Sequence, residues 1–374
     1  MRMFNMKRSP FVLLLVLVGL SAQAQNDFEP YSFFVAGHVY GAVGANNIGV
    51  HPPFKAKFPY VQSRSEIEFG VFAGDIVPST PVAQDWEEID ADVEDLGIPV
   101  HFVAGNHEVR NLPLFEARYG DTYFDFTYNN DLFIILDANI DGWSIAGDQL
   151  EYLKNVINGK CASIEKVFVF FHQILWRDDD QFNHISPNSY EGRVAPVNFW
   201  TTVIPIFDSI TNDVYIFAGD LGASWSSVVS YDRYNNITFI ASGMGGQDGD
   251  NFVVVNIDSD KTVSYDLICL NDQDLFCLGE LNDYLTVDIT TSTESEEQTG
   301  TNFIYPNPSD QFINVSTNQA SILQLYDMKG ALILEENCNE YSNQPINISQ
   351  LQNGLYTAKL SSESETRVQK LIIQ

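Results

Sequence analysis

The sequence predicts an α/β domain followed by a small all-β sandwich domain. Three observations carry this. Short apolar runs, several ending on a histidine, aspartate or asparagine, are interspersed with amphipathic stretches between Ser32 and Ile257. Thr286 to Thr301 is rich in Thr, Ser and Glu with almost no large apolar residues, the composition of a linker. Phe303 to Gln374 has short alternating runs separated by turn residues and no helical spacing. The expected boundaries are 1–24, 25–285, 286–301 and 302–374.

Within the first domain, Ser32 to Val35 reads as a strand that ends at Ala36-Gly37-His38. Phe69 to Phe72 ends at Ala73-Gly74-Asp75, and Val100 to Val103 at Ala104-Gly105-Asn106-His107-Glu108. Asp131 to Leu136 ends at Asp137, Val167 to Phe171 at His172, and Val214 to Phe217 at Ala218-Gly219-Asp220. Ile237 to Ala241 and Phe252 to Ile257 complete the strands. Asp85 to Leu96 and Gln149 to Val156 have the spacing of surface helices.

The chain has 374 residues, 45% of them hydrophobic and 13% aromatic, enough for one large core and a small one. Fifty acidic against 19 basic residues give a formal charge of −31. Nucleic acid is excluded as a partner, because its phosphates require basic stripes. An anionic substrate needs positive charge from a bound cation. Lys7 and Arg8, the apolar run Phe11 to Leu20 and the small-residue site Ala22-Gln23-Ala24 read as a secretory signal peptide, with a mature start at Gln25. No other segment reads as transmembrane. Of the four cysteines, Cys269 and Cys277 are close enough to close a small loop, and Cys161 and Cys338 are expected to stay unpaired.

His38, Asp75, Asn106, His107, His172 and Asp220 each follow a predicted strand. Strand ends of one sheet edge converge, and mixed nitrogen and oxygen donors suit a divalent metal such as zinc, manganese or iron. Taken singly, each has a plainer reading: a turn aspartate, a core histidine, an asparagine in a left-handed turn.

Their order resembles that of the calcineurin-like metallophosphoesterases: Gly74-Asp75, then Gly105-Asn106-His107-Glu108, then His172, then Gly219-Asp220. The resemblance implies a four-layer α/β/β/α sandwich with one or two divalent metal ions (Mn, Fe or Zn) at the sheet edge and a phosphoester substrate. It implies that Asp75 bridges two metals and that Asn106 and His172 bind the second. Asp220 stands where the family has a histidine, in a role an aspartate can fill. His38 matches a ligand or near-ligand of the first metal. His107 matches the acid that assists the leaving oxygen, oriented by Glu108.

Two positions depart from the family pattern. Ala36 replaces the aspartate of the first motif, with no acidic residue between Glu29 and Glu66, and Gly222 replaces the last histidine. Both losses fall on the first metal. Three readings follow: a mononuclear phosphoesterase, a first site rebuilt from His51 or His184, or an inactive relative that binds a phosphorylated or glycan ligand.

At the C-terminus, Tyr305-Pro306-Asn307-Pro308, Leu325-Tyr326-Asp327 with Gly330, Asn353-Gly354-Leu355-Tyr356 and Lys370-Leu371-Ile372 resemble a type IX secretion sorting domain of type A. That implies export through periplasm and outer membrane by the type IX secretion machinery, a secreted or surface-attached product, and a Bacteroidetes-type source.

Overall fold

The structure is a computed structural model describing residues 28–42, 44, 49–289, 304–305, 309, 311–315, 317, 319–327, 331–338, 345–362 and 366–373. The signal peptide, residues 290–301 of the expected linker, Pro306 to Pro308 and Gly330 lie outside the described residues. Two compact units divide between Thr291 and Ser292.

In the first unit the elements run β1 (Tyr31–Ala36), α1 (Pro52–Lys55), α2 (Phe58–Ser63), β2 (Ile67–Phe72), α3 (Ala83–Leu96), β3 (Val100–Phe102), α4 (Leu112–Tyr119), β4 (Phe124–Tyr128), β5 (Asp131–Ile135), α5 (Gly147–Lys160), β6 (Lys166–Phe171), α6 (Ile204–Asp208), β7 (Asp213–Leu221), β8 (Ser230–Tyr234), β9 (Ile237–Gly243), β10 (Asn251–Ile257), β11 (Val263–Cys269) and β12 (Leu285–Ile289). They build a five-stranded sheet, β11-β10-β1-β2-β3, and a seven-stranded sheet, β12-β8-β9-β7-β6-β5-β4.

The sheets face each other across a phenylalanine core. Phe33 stacks on Phe69 at 5.3 Å and meets Phe168 edge-on at 5.1 Å, with Phe133, Phe170 and Phe217 completing the layer. Successive strand residues point to opposite faces, so Phe34 and Ala36 of β1 join a second core under α1 to α4 instead. There α3 buries Trp86, Ile89 and Leu96. On the far side of the seven-stranded sheet α5 buries Leu153, Val156 and Ile157. The result is the expected α/β/β/α sandwich. Strands covered on both faces must be apolar on both, which is why β1 and β6 read as continuous apolar runs.

β1, β2 and β3 are parallel, as are β5, β6, β7 and β9. Parallel strands deliver their carboxyl ends to one edge. The structure thus brings the residues that follow β1, β2, β3 and β6, with the end of β7, to neighbouring positions.

Several boundaries differ from expectation. The linker does not start at Thr286, because residues 285–289 form β12, paired in parallel with β8. β7 runs on to Leu221 and carries Asp220 inside a strand. β4, β8 and β11 are strands beyond those expected: β4 is a short alternating run, and β8 and β11 have mixed sequences that obscure their periodicity. Cys269 and Cys277 form the disulfide, and Cys161 and Cys338 are free and buried. Among the described residues no helix is long and apolar enough to cross a membrane.

The second unit is all-β. β13 (Ile304–Tyr305), β14 (Phe312–Val315) and β17 (Pro345–Asn347) form one sheet; β15 (Ser321–Tyr326), β16 (Leu332–Cys338), β18 (Gly354–Ser361) and β19 (Thr366–Ile373) form the other. Ile304, Ile313, Leu323, Leu325, Leu360 and Leu371 share one core between them.

Candidate metal centre

The site starts at two aspartate- and histidine-bearing turns in which the backbone is under strain. His38 has φ +54° and Asp75 φ +47°, both left-handed and uncommon for residues with a Cβ. The turns are locked together: His38 N–H donates to Gly74 O (3.1 Å) and Tyr40 N–H to Asp75 O (3.3 Å). Gly74 also has positive φ, and a Cβ there would lie 2.5 Å from His172 Nδ1. Only glycine lets the β2 turn close over that imidazole.

Asp75 is the hub. Its Oδ1 accepts from His107 N–H (3.0 Å) and stands 3.4 Å from His172 Nε2. Its Oδ2 lies 3.7 Å from His107 Nε2 and 3.9 Å from His38 Nε2. Asp220 Oδ1 lies 3.7 Å from His172 Nε2. Asp75, His38, Asn106 and His107 line a cleft of about 530 Å³. His172 and Asp220 lie beneath it, fully buried. Asn106 turns its amide nitrogen toward Glu191 (3.5 Å), so its amide oxygen points the other way.

The imidazoles are individually aimed. His172 Nδ1 donates to Ala73 O (2.8 Å) and His38 Nδ1 to Met244 O (2.6 Å), so each presents Nε2 to Asp75. An imidazole anchored through one nitrogen to a backbone carbonyl is the usual way a protein orients the other toward a metal. His107 Nδ1 sits 2.8 Å from Val77 O and 3.0 Å from Ser79 N, and its ring stacks on Tyr40 at 5.1 Å.

Glu108 corrects the expected picture. It does not orient the His107 ring. Its carboxylate, wholly buried, accepts from the backbone N–H groups of Asp75 (2.9 Å), Ile76 (2.9 Å), Val77 (3.3 Å) and Gly105 (2.7 Å). It therefore braces the Asp75 turn against the Asn106 turn. Glu108→Gln replaces one acceptor oxygen by a donor that faces donors. Leaving buried N–H groups unpaired costs about 1–3 kcal/mol each. We expect urea unfolding to show a loss of roughly 3 kcal/mol, where a residue acting only on His107 would leave stability unchanged.

Burial governs the electrostatics. It pushes the Asp220 carboxyl up to about 8, and holds His38 down at about 4. Burial would lower His172 too, but Asp75 and then Asp220 beside it raise the imidazole to about 10. Asp75 is disfavoured as an anion by burial and is nonetheless held well below the usual carboxylate range by His172, His107 and His38. Burial, with Asp75 nearby, pushes Glu108 up to about 7 against the pull of its N–H donors.

One of the two positions that would complete a first metal site, Gly222, is closed. Gly222 has φ +110°, and a Cβ there would lie 2.4 Å from the Met244 carbonyl carbon. A histidine cannot occupy this backbone without moving Met244. The two candidate substitutes are engaged elsewhere. His51 Nε2 pairs with Asp250 Oδ2 at 3.1 Å and His184 Nε2 with Asp232 Oδ1 at 3.3 Å. Asp250 also accepts from the N–H groups of Gly245, Gly246 and Gln247, so it braces that loop. Arg110 is paired with Glu191, and Arg177 lies over the Tyr190 ring. Glu191 lines the cleft from the polar and aromatic stretch Trp176 to Gly192, which the sequence offers as either a substrate-access segment or a surface loop; Trp225, in a turn without any motif, was missed.

Residues 47–203 match the family model for calcineurin-like phosphoesterases. The chain carries a calcineurin-like phosphoesterase domain. Residues 303–374 match the model for a secretion system C-terminal sorting domain, which marks the chain for export to a secreted or cell-surface location. The phosphoesterase match includes Asp75, the Asn106 turn and His172, and stops short of His38 and Asp220 at the two ends where the pattern departs. Among solved structures, a dimetal phosphatase from Danio rerio is 15% identical, with TM-score 0.42 over 60% of this chain and 92% of that one. A purple acid phosphatase from yellow lupin (Lupinus luteus) seeds is 14% identical, with TM-score 0.49 over 70% of this chain and 54% of that one. No curated protein sequence matches the chain.

The phosphoesterase family implies divalent metal ions. Among the described residues no three His, Cys, Asp or Glu side chains stand ready as a closed cage. The fit rests on other grounds. His172 Nε2 and both Asp220 oxygens are buried with no hydrogen-bond partner. Buried polar atoms are rarely left so without a ligand to satisfy them. With Asp75 and the amide of Asn106, they make a mixed nitrogen and oxygen donor set that suits a borderline divalent metal.

Proposed function

We propose that this exported protein is a metal-dependent phosphoesterase working with one ion. The observation that carries the reading is the pair of buried groups left unsatisfied beside Asp75: His172 Nε2 and the Asp220 carboxylate. Asp75, Asn106, His172 and Asp220 would hold the ion, with His38 facing Asp75 from the other side. The ion supplies Lewis acidity toward phosphoryl oxygen and a reactive water at neutral pH.

The remaining chemistry belongs to the chain. His107 stands at the cleft floor with Nδ1 engaged by the 77–79 turn, which leaves Nε2 directed inward near Asp75. It donates the Nε2 proton to the departing alcohol oxygen as the phosphorus–oxygen bond breaks. The Tyr40 ring limits rotation of the imidazole. Glu108 fixes the distance between the Asp75 and Asn106 turns through its four N–H contacts. Burial of His172 and Asp220 keeps bulk water away from the back of the site.

The single-ion reading is supported by Gly222 and Ala36. Restoring the family residues with Ala36→Asp and Gly222→His is expected to bind no second ion. It should instead destabilise the protein by about 3 kcal/mol or more, through strain at positive φ and overlap with Met244. Metal content and thermal unfolding of the double variant check this. The activity itself is tested on the full chain, stripped with chelator and reloaded with manganese or zinc. A phosphomonoester and a phosphodiester are offered in parallel. Hydrolysis that vanishes on stripping and returns on reloading is expected; no hydrolysis with either metal overturns the proposal.

A further inference from the structure

The cleft has one feature that breaking a phosphoester bond does not itself require. Trp225 is 62% exposed and lines the same cleft as Asp75, Asn106 and His107. The ring is pinned. Its Nε1 donates to Asn188 O (2.9 Å). The turn that bears it is tied down by Gly222 N–H to Ser226 Oγ (2.9 Å), Ala223 N–H to Asn188 Oδ1 (2.8 Å) and Ser227 N–H to Ser186 O (2.9 Å). A large aromatic face held rigid and left open to a cleft is built for contact with another flat ring, because little conformational entropy is lost on binding.

The neighbouring polar groups argue for stacking over hydroxyl recognition. Asn188 already uses its Oδ1 for Ala223 N–H and its Nδ2 for Leu221 O (2.9 Å). Glu191 holds Arg110 and Asn106. The side-chain amide of Asn188, whose backbone carbonyl accepts from the indole, is thus fully engaged within the protein, and Glu191 is paired with Arg110. A leaving group rich in hydroxyls gains little here, whereas a flat heteroaromatic ring gains the indole face. At about 530 Å³ the cleft falls within the range of small-molecule sites.

We propose that Trp225 is a stacking platform for a heteroaromatic ring on the leaving group, so that the favoured substrates are nucleoside-type phosphoesters. The inference rests on the hydrolytic reading above and deepens it. Adenosine 5′-monophosphate and ribose 5-phosphate release phosphate from the same kind of primary alcohol and differ by the base, so their comparison isolates stacking. With the manganese-loaded full chain, kcat/KM for the nucleotide is expected to exceed that for the sugar phosphate by about 5- to 100-fold. Trp225→Ala should bring that ratio close to one while leaving ribose 5-phosphate within about twofold, and Trp225→Phe should retain most of it. A wild-type ratio near one overturns the proposal, as does a Trp225→Ala ratio equal to wild type or an equal loss on both compounds. Calorimetric binding of the same two compounds reads the same difference without turnover. Tight nucleotide binding through Trp225 with no hydrolysis would keep the platform and sink the phosphoesterase reading; no nucleotide preference in binding sinks the platform alone.

Discussion

Asp220→Asn is expected to yield a protein that is more stable without metal and unable to hold it. The Asp220 carboxyl is buried with no well-aligned hydrogen-bond donor, and burial raises it from 3.8 to about 8 against the weak pull of the Ser189 N–H. A group raised on folding contributes stability that is fully present below its unfolded value and lost as pH rises through the folded one. In the metal-free protein that loss runs from about pH 4 to about pH 8, the window set by the shift of Asp220. Asparagine does not ionise, so the advantage of the variant grows with pH across the same window. Allowing for relaxation around the site, we expect about 2–4 kcal/mol at pH 8, seen as a higher melting temperature in chelator. Metal affinity should fall by more than about 100-fold, beyond what loss of an outer-sphere partner typically costs. Melting curves from pH 4 to 8, with and without manganese, check both halves. Equal melting temperatures in chelator, or metal protection that survives the substitution, would go against this account of Asp220.

His107→Asn should lower kcat by about 10²- to 10⁴-fold and leave metal content unchanged. The reason is positional. His107 lines the cleft, donates its backbone N–H to Asp75 and holds its Nε2 3.7 Å from Asp75 Oδ2, whereas His172 and Asp220 are fully buried. The loss should be smaller for esters of acidic alcohols such as p-nitrophenol, which depart without a proton. A uniform loss across leaving groups would point to binding instead of proton donation. A loss of bound metal would make His107 a ligand.

Much of this site was legible because strand ends announce themselves. An apolar run stops and a glycine precedes the first donor at Asp75, Asn106 and Asp220, and the structure brings these to one edge. His172 directly follows β6, a phenylalanine-rich apolar run, and is just as visible. What the sequence concealed depended on tertiary contact. Glu108 sits beside His107 in sequence, which suggests that one orients the other, yet its carboxylate folds back onto the Asp75 turn. Gly222 reads as a missing histidine; only the position of Met244 reveals that the space itself is filled. Glu191 reaches the cleft from a long loop, and Trp225 from the turn just after β7, neither in a segment with any periodicity. β12 was hidden by its neighbours. Its Leu285, Val287 and Ile289 alternate with Thr286 and Asp288, but the strand is short and runs straight into the Thr-, Ser- and Glu-rich stretch.

We expect a single ion, held beneath the cleft by residues around Asp75, to suffice for phosphoester hydrolysis. This is tested most directly by titrating manganese or zinc into the stripped full chain while measuring bound metal by elemental analysis and hydrolysis in the same samples. Activity is expected to rise in proportion to bound metal and to reach its plateau at one ion per chain. A plateau that requires two ions per chain, or metal uptake that brings no hydrolysis, would contradict it.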